Sequence, residues 1–212
     1  MDDTVEDDYP LVDRSDIDAA LTRTHWKLDM HWLEEVGIMD QFQRQHGSSP
    51  TTPQDLWKHI QGLFDVFIEP MCLTLDHDTT LVDETPVAGL IPLMEALTAL
   101  DLNWYAAEEE SSQPPERLVS AWLDLLTPHQ RQQLQHLSLD LAPILPDELS
   151  EWLNRLPNLQ SFSLQNGFVN DDETTTLVIP PSEHLQQLRI KFNHPVFELP
   201  VLPALTRLSI SV

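Results

Sequence analysis

Six short stretches of the chain repeat one arrangement of apolar residues: CLTLDH (72–77), ALDLNW (99–104), HLSLDL (136–141), SFSLQN (161–166), QLRIKF (187–192) and RLSISV (207–212). In five of them a further leucine stands three residues before the apolar pair, at Leu97, Leu134, Leu159, Leu185 and Leu205. The shared form is L-x-x-L-x-L. Apolar residues two apart lie on one side of an extended strand, and the residues between and after them face the other way. The second members of the pairs are Leu75, Leu102, Leu139, Leu164, Ile190 and Ile210, at steps of 27, 37, 25, 26 and 20 residues. A unit this short cannot bury its own apolar side, so the pattern demands that neighbouring units stack.

Between the strands, PVAGLIPLMEAL (86–97), PERLVSAWLDLL (115–126) and PDELSEWLNRL (146–156) are amphipathic and begin at prolines or acids, which predicts helical returns. The long step of 37 residues contains EEESSQPP (108–115), read as a surface loop inserted in one unit. FELPVLP (197–203) places proline where it breaks a helix, so this return is expected to follow an extended path.

This pattern resembles the leucine-rich repeat superfamily over roughly residues 66–212. The helical returns look like its ribonuclease-inhibitor-like branch. The segment LPVLPALTRLSISV (199–212) looks like the L-P-x-L-P repeats of bacterial type III effectors, through Leu199, Pro200, Leu202, Pro203, Leu205 and Leu208. One residue fewer separates the second proline from the next leucine than in those repeats. The asparagine that bonds the turn after the strand in the superfamily stands clearly only at Asn166 and Asn193. The resemblance implies an α/β fold: a solenoid of about six short parallel strands over residues 51–212, with the paired leucines inward and the alternate residues on a concave face. The catalytic cysteine motif of the effector ligases is absent from the chain.

Upstream, residues 1–14 are read as an acidic flexible arm and residues 15–50 as a helical cap over the exposed end of the stack. In the latter, Ile17, Leu21, Leu28, Trp32 and Ile38 fall at mostly helical intervals behind a Ser15 cap, predicting one or two helices. Trp26 and Trp32 would dock this segment onto the first repeat. GSSPTTP (47–53) marks the boundary, after which Thr52 and Pro53 start a helix to about Phe67 with Leu56, Ile60 and Leu63 on its apolar face. Trp57, Trp122 and Trp152 fall on apolar helical faces and are assigned to the core.

Charge narrows the partners. The 35 acidic and 11 basic residues give a net of −24, distributed as −8 over residues 1–50, −14 over 51–150 and −2 over 151–212. Such a polyanion repels nucleic acid and anionic membrane and favours a basic protein partner. The start MDDTVEDDYP is acidic where a signal peptide would be basic and then apolar, and no stretch reaches the roughly 18 apolar residues of a membrane span, so the cytoplasm is expected, or a host cell if the chain is exported by a specialised machine.

Catalytic and metal signals are weak. Cys72 is the only cysteine, flanked by Met71 and Leu73 and read as a core residue. His25 and His31 are six apart and His129 and His136 seven apart, against the three or four of a helical ligand pair. No metal or other cofactor and no enzymatic activity is expected. The candidate site is instead the outward ladder, with Asp76, Asp101, Asn103, Asp140, Gln165, Arg189 and Lys191 running from acidic to neutral to basic. Such a surface suits a protein whose charge gradient is complementary. Trp104 and Phe192, one place further on, are either edge anchors or core.

Three functions fit these features: neutralisation of a basic protein, as an immunity protein or antitoxin does; recruitment of a host protein by a secreted effector or adaptor; or substrate recognition within a longer enzyme. The strand at 207–211 ends in an open sheet edge, so either a partner is expected to cover it or the natural chain to continue beyond Val212.

Overall fold

The apolar pairs align side by side in one parallel sheet. A computed structural model describes residues 25–28, 37–63, 69–78, 88–105, 118–140, 144, 146–165, 176–191 and 196–211. The strands are β1 (His25–Leu28), β2 (Cys72–Asp78), β3 (Ala99–Tyr105), β4 (His136–Asp140), β5 (Ser161–Gln165), β6 (Thr176–Val178), β7 (Gln187–Lys191), β8 (Val196–Glu198) and β9 (Arg207–Ser211). Seven of them form a sheet in the order β1-β2-β3-β4-β5-β7-β9, every pairing parallel. The register puts Trp26, Leu73, Leu100, Leu137, Phe162, Leu188 and Leu208 in one row. Leu75, Leu102, Leu139, Leu164, Ile190 and Ile210 lie in the next. From β2 to β7 both rows are fully buried, and they form the spine of the core.

One backbone junction recurs at the start of each strand of the seven-stranded sheet after β2. The carbonyl of Met71 accepts from the N–H groups of Thr98 and Ala99, that of Thr98 from Gln135 and His136, that of Gln135 from Gln160 and Ser161, that of Gln160 from Gln186 and Gln187, and that of Gln186 from Thr206 and Arg207. All ten bonds measure 2.7–3.1 Å. The leading leucine of L-x-x-L-x-L sits one step before this junction. Its N–H closes a tight turn, onto Met94 for Leu97, Gln130 for Leu134, Leu156 for Leu159 and Leu202 for Leu205, while the N–H of Leu185 bonds the Ser182 hydroxyl. Its side chain is buried at four of the five positions, Leu205 being half-buried. The motif is therefore a turn that buries one leucine and a strand that buries two.

The helices are α1 (Ile38–His46), α2 (Pro53–Gly62), α3 (Leu118–Asp124), α4 (Pro128–Gln133) and α5 (Pro146–Asn154), with a 3-10 turn at Ile91–Leu93. Gly47 ends α1 at φ +74°, a left-handed conformation that strains any side chain. Helix α2 starts as expected, with the Thr52 oxygen accepting from Asp55 N and Pro53 in the first turn, but it ends at Gly62. The Thr52 hydroxyl also donates to the Asp55 carboxylate at 2.7 Å and holds it below the usual carboxylate range. Trp57, Trp122 and Trp152 are buried, and α3 and α5 occupy the returns assigned to them.

Four expectations change. Residues 25–28 were expected to be helical and form β1, a strand of the main sheet, with Trp26 buried against Trp57 at 5.6 Å between ring centroids. The 86–97 return, read as one helix, is helical at Ala88 and then passes through a turn into the 3-10 turn Ile91–Leu93 among its described residues; Pro92 has no N–H to continue an α-helix there. A second helix, α4, stands in the long step between β3 and β4, where one had been expected. The 197–203 return is extended, as its prolines require, but it also carries β8, which pairs in parallel with β6 from the preceding return. The acidic arm, Ser15, Trp32, Phe67, the 108–115 insertion, Asn166, Phe192 and Asn193 lie outside the described residues.

Candidate functional site

Strand alternation turns the residues between the buried leucines to the other face of the sheet, and the parallel register brings them into rows. One row contains Lys27, Thr74, Asp101, Ser138, Ser163, Arg189 and Ser209; its neighbour contains Asp76, Asn103, Asp140, Gln165, Lys191 and Ser211. All seven candidate residues stand in these two rows. Neighbouring strands lie about 4.8 Å apart, so Asp101 on β3 and Arg189 on β7 are separated by roughly 14 Å and do not pair directly. Acidic and basic ends are held apart by the Ser138, Ser163 and Gln165 steps.

Burial falls along the rows. Thr74 is buried and donates to the Asp101 carboxylate at 3.4 Å; Asp101, Asn103, Ser138, Asp140, Ser163 and Gln165 are half-buried, and Arg189 and Lys191 are exposed. For Asp76 the backbone register alone is described. One carboxylate oxygen of Asp140 is buried with no hydrogen-bond partner among the described residues. An unpaired buried acceptor is costly. The finding that sequence reading missed is Lys27: β1 extends the first row past Thr74 and places a basic residue beyond the acidic end. Its only local signal was the pair Trp26-x-Leu28. Trp104 holds the register position opposite His77.

Cys72 corrects another expectation. It is half-buried rather than part of the core, and it lies in register with Ala99 and His136 on the face opposite the inward leucines. Burial and, after it, the Asp101 charge push its thiol up to about 11. It is almost wholly protonated at neutral pH and a poor nucleophile.

Among the described residues no three His, Cys, Asp or Glu side chains come together as a metal site. Among the described residues histidines meet away from the ladder, where Phe42, His46 and His59 make edge-on and tilted ring contacts at the α1–α2 junction beside a cleft of about 420 Å³. Burial pushes His59 below the ordinary histidine range, His46 adds to the shift, and a bond to the Ile38 backbone opposes it. A histidine depressed in the folded state takes up its proton more readily when unfolded, so its contribution is intact above the ordinary value of about 6.5 and is lost as pH falls below it. Acidification also relieves the repulsion among 35 acidic residues, so the effect must be read as a difference. The stability gap between the native chain and His59→Gln, from urea midpoints, should narrow between pH 7.5 and pH 5.5; a gap independent of pH contradicts the assignment.

No described helix is long and apolar enough to cross a membrane. No protein-family model matches the chain, and neither does any curated protein or solved structure.

Proposed function

We propose that this chain is a non-enzymatic binding module, a leucine-rich repeat solenoid whose open sheet face captures and neutralises a basic protein in the cytoplasm of a bacterium. The carrying observation is the register: without a break it aligns Asp76, Asp101 and Asp140 on β2 to β4 with Arg189 and Lys191 on β7 in two adjacent rows, Lys27 on β1 standing before them. Rigid strands hold these groups, so binding costs little ordering entropy there. The charge gradient sets the orientation of the partner, and the net charge of −24 speeds encounter with a cation. The half-buried Asp140 carboxylate supplies negative charge for a lysine or arginine of the partner.

Affinity capture from a lysate of the source organism at about 0.05 M and about 0.5 M salt tests the reading, since screening weakens exposed charge pairs. A basic protein should be retained at low salt, reduced at high salt, and lost at least tenfold by an Asp101→Lys, Asp140→Lys double variant. Recovery of no basic protein at either salt contradicts the proposal.

A further inference from the structure

We infer that β9 is a self-association edge, at which two copies of this chain join their sheets through antiparallel β9–β9 pairing about a twofold axis. β9 is the outermost strand, paired with β7 on one side and with no described strand on the other, so a row of backbone donors and acceptors faces outward. The inward row changes abruptly here. Trp26, Leu73, Leu100, Leu137, Phe162 and Leu188 are all buried, whereas Leu208, next in the same row, is 50% exposed. Ile210 is half-buried where Ile190 is fully covered. In the return that leads into β9, Val201 is 86% exposed and Leu199 is also exposed.

Two features select a second copy as the occupant. The first is the register. With the twofold at Ser209, Leu208 of one copy opposes Ile210 of the other, and Arg207 opposes Ser211. Each apolar residue thus meets an apolar one, and both core rows continue across the junction; directly opposite pairs of this kind stabilise a sheet. The second is charge. Residues 199–212 contain one charged side chain, Arg207, in a molecule of net charge −24. The acidic positions on β2 lie five strand steps from β9, roughly 24 Å away and well beyond a screening length of about 8 Å. This is the end at which two copies approach with least repulsion. The strand also lacks the devices that block edge pairing, having no proline and no inward charge among Arg207–Ser211. The paired sheet would carry Arg189 and Lys191 near its centre and the acidic positions of β2 to β4 farther out on both sides. This interface is separate from the ladder, so either proposal can fail alone.

Sedimentation velocity of the 212-residue chain up to about 0.1 mM at near-physiological salt tests the inference. A species of twice the 24.3 kDa chain mass is expected at the upper concentrations. Leu208→Lys should raise the dissociation constant at least tenfold, and so should Val201→Lys, whose exposed side chain leaves the fold intact if Leu208→Lys does not. Gln132→Lys, exposed on α4, should leave it unchanged. A native chain that stays monomeric throughout, a dimer insensitive to both edge variants, or open-ended polymers in place of a dimer overturns the proposal.

Discussion

Replacing Leu139 by alanine should destabilise the fold by about 3 kcal/mol, whereas the same change at Leu208 should cost less than about 1 kcal/mol. Leu139 is completely buried on β4, with Leu102 and Leu164, also completely buried, in register on either side. Those neighbours are fixed by their own strand pairings, so they cannot close over the space left by the lost carbons, and a cavity penalty adds to the lost burial. At 50% exposure, Leu208 has already given up half of that gain to solvent. For a chain of this size the Leu139 variant should melt roughly 6–12 °C lower. Urea and thermal unfolding of both variants, taken at low concentration where the chain is monomeric, measure the contrast. Equal losses at the two positions contradict the assignment of β4 to the centre of the core and β9 to its edge.

Gln130→Leu should cost about 3 kcal/mol by a different route. Gln130 is fully buried, and its amide is satisfied at both ends. Nε2 donates to the carbonyls of Ile91 and Met94 at 2.6 and 2.7 Å, and Oε1 accepts from the Thr127 N–H at 2.8 Å. One side chain therefore completes the capping box of α4 and ties that helix to the 3-10 return before β3. Leucine fills much of the same volume but leaves the Thr127 N–H without its acceptor and removes one of two donors from each of the Ile91 and Met94 carbonyls, which keep their backbone bonds to Met94 and Leu97; three hydrogen bonds are lost at about 1 kcal/mol each. Gln130→Glu separates the contributions: the acceptor to Thr127 is kept, but at neutral pH a carboxylate faces two carbonyls. It should be at least as destabilising at pH 7 and recover part of the loss at pH 4.5, where a protonated carboxyl donates again. A Gln130→Leu variant within about 0.5 kcal/mol of the native chain sinks this account.

The six strands at the repeated motif were legible because burial on one face leaves a period of two, and the leading leucine marks the turn before it. The pairing order of those strands followed from their spacing. β1 was not legible in the same way. His25-Trp26-Lys27-Leu28 has the apolar pair but Arg23 in place of a leading leucine, and it stands among residues with helical spacing; pairing with β2 decides its state. Helix α4 did carry a local signal, Thr127 and Pro128 followed by Gln130, which matches a capping box with proline at the first helical position. The β6–β8 pair had none, because three-residue strands are stabilised by a partner twenty residues away and not by their own pattern. Of the candidate site, the rows and their polarity were legible from alternation alone. Their first member, Lys27, was hidden with β1, and the half-buried position of Cys72 was hidden because an apolar flank on both sides does not say which face a strand residue takes.

The most direct measurement of the central claim is site-specific photo-cross-linking of the captured partner. A photoreactive side chain at Ser163, midway along the ladder, should cross-link to the basic protein, and the same group at Glu151, exposed on α5, should not. Cross-linking from Glu151 but not from Ser163 would place the partner elsewhere and contradict the assignment of the sheet face as the binding surface.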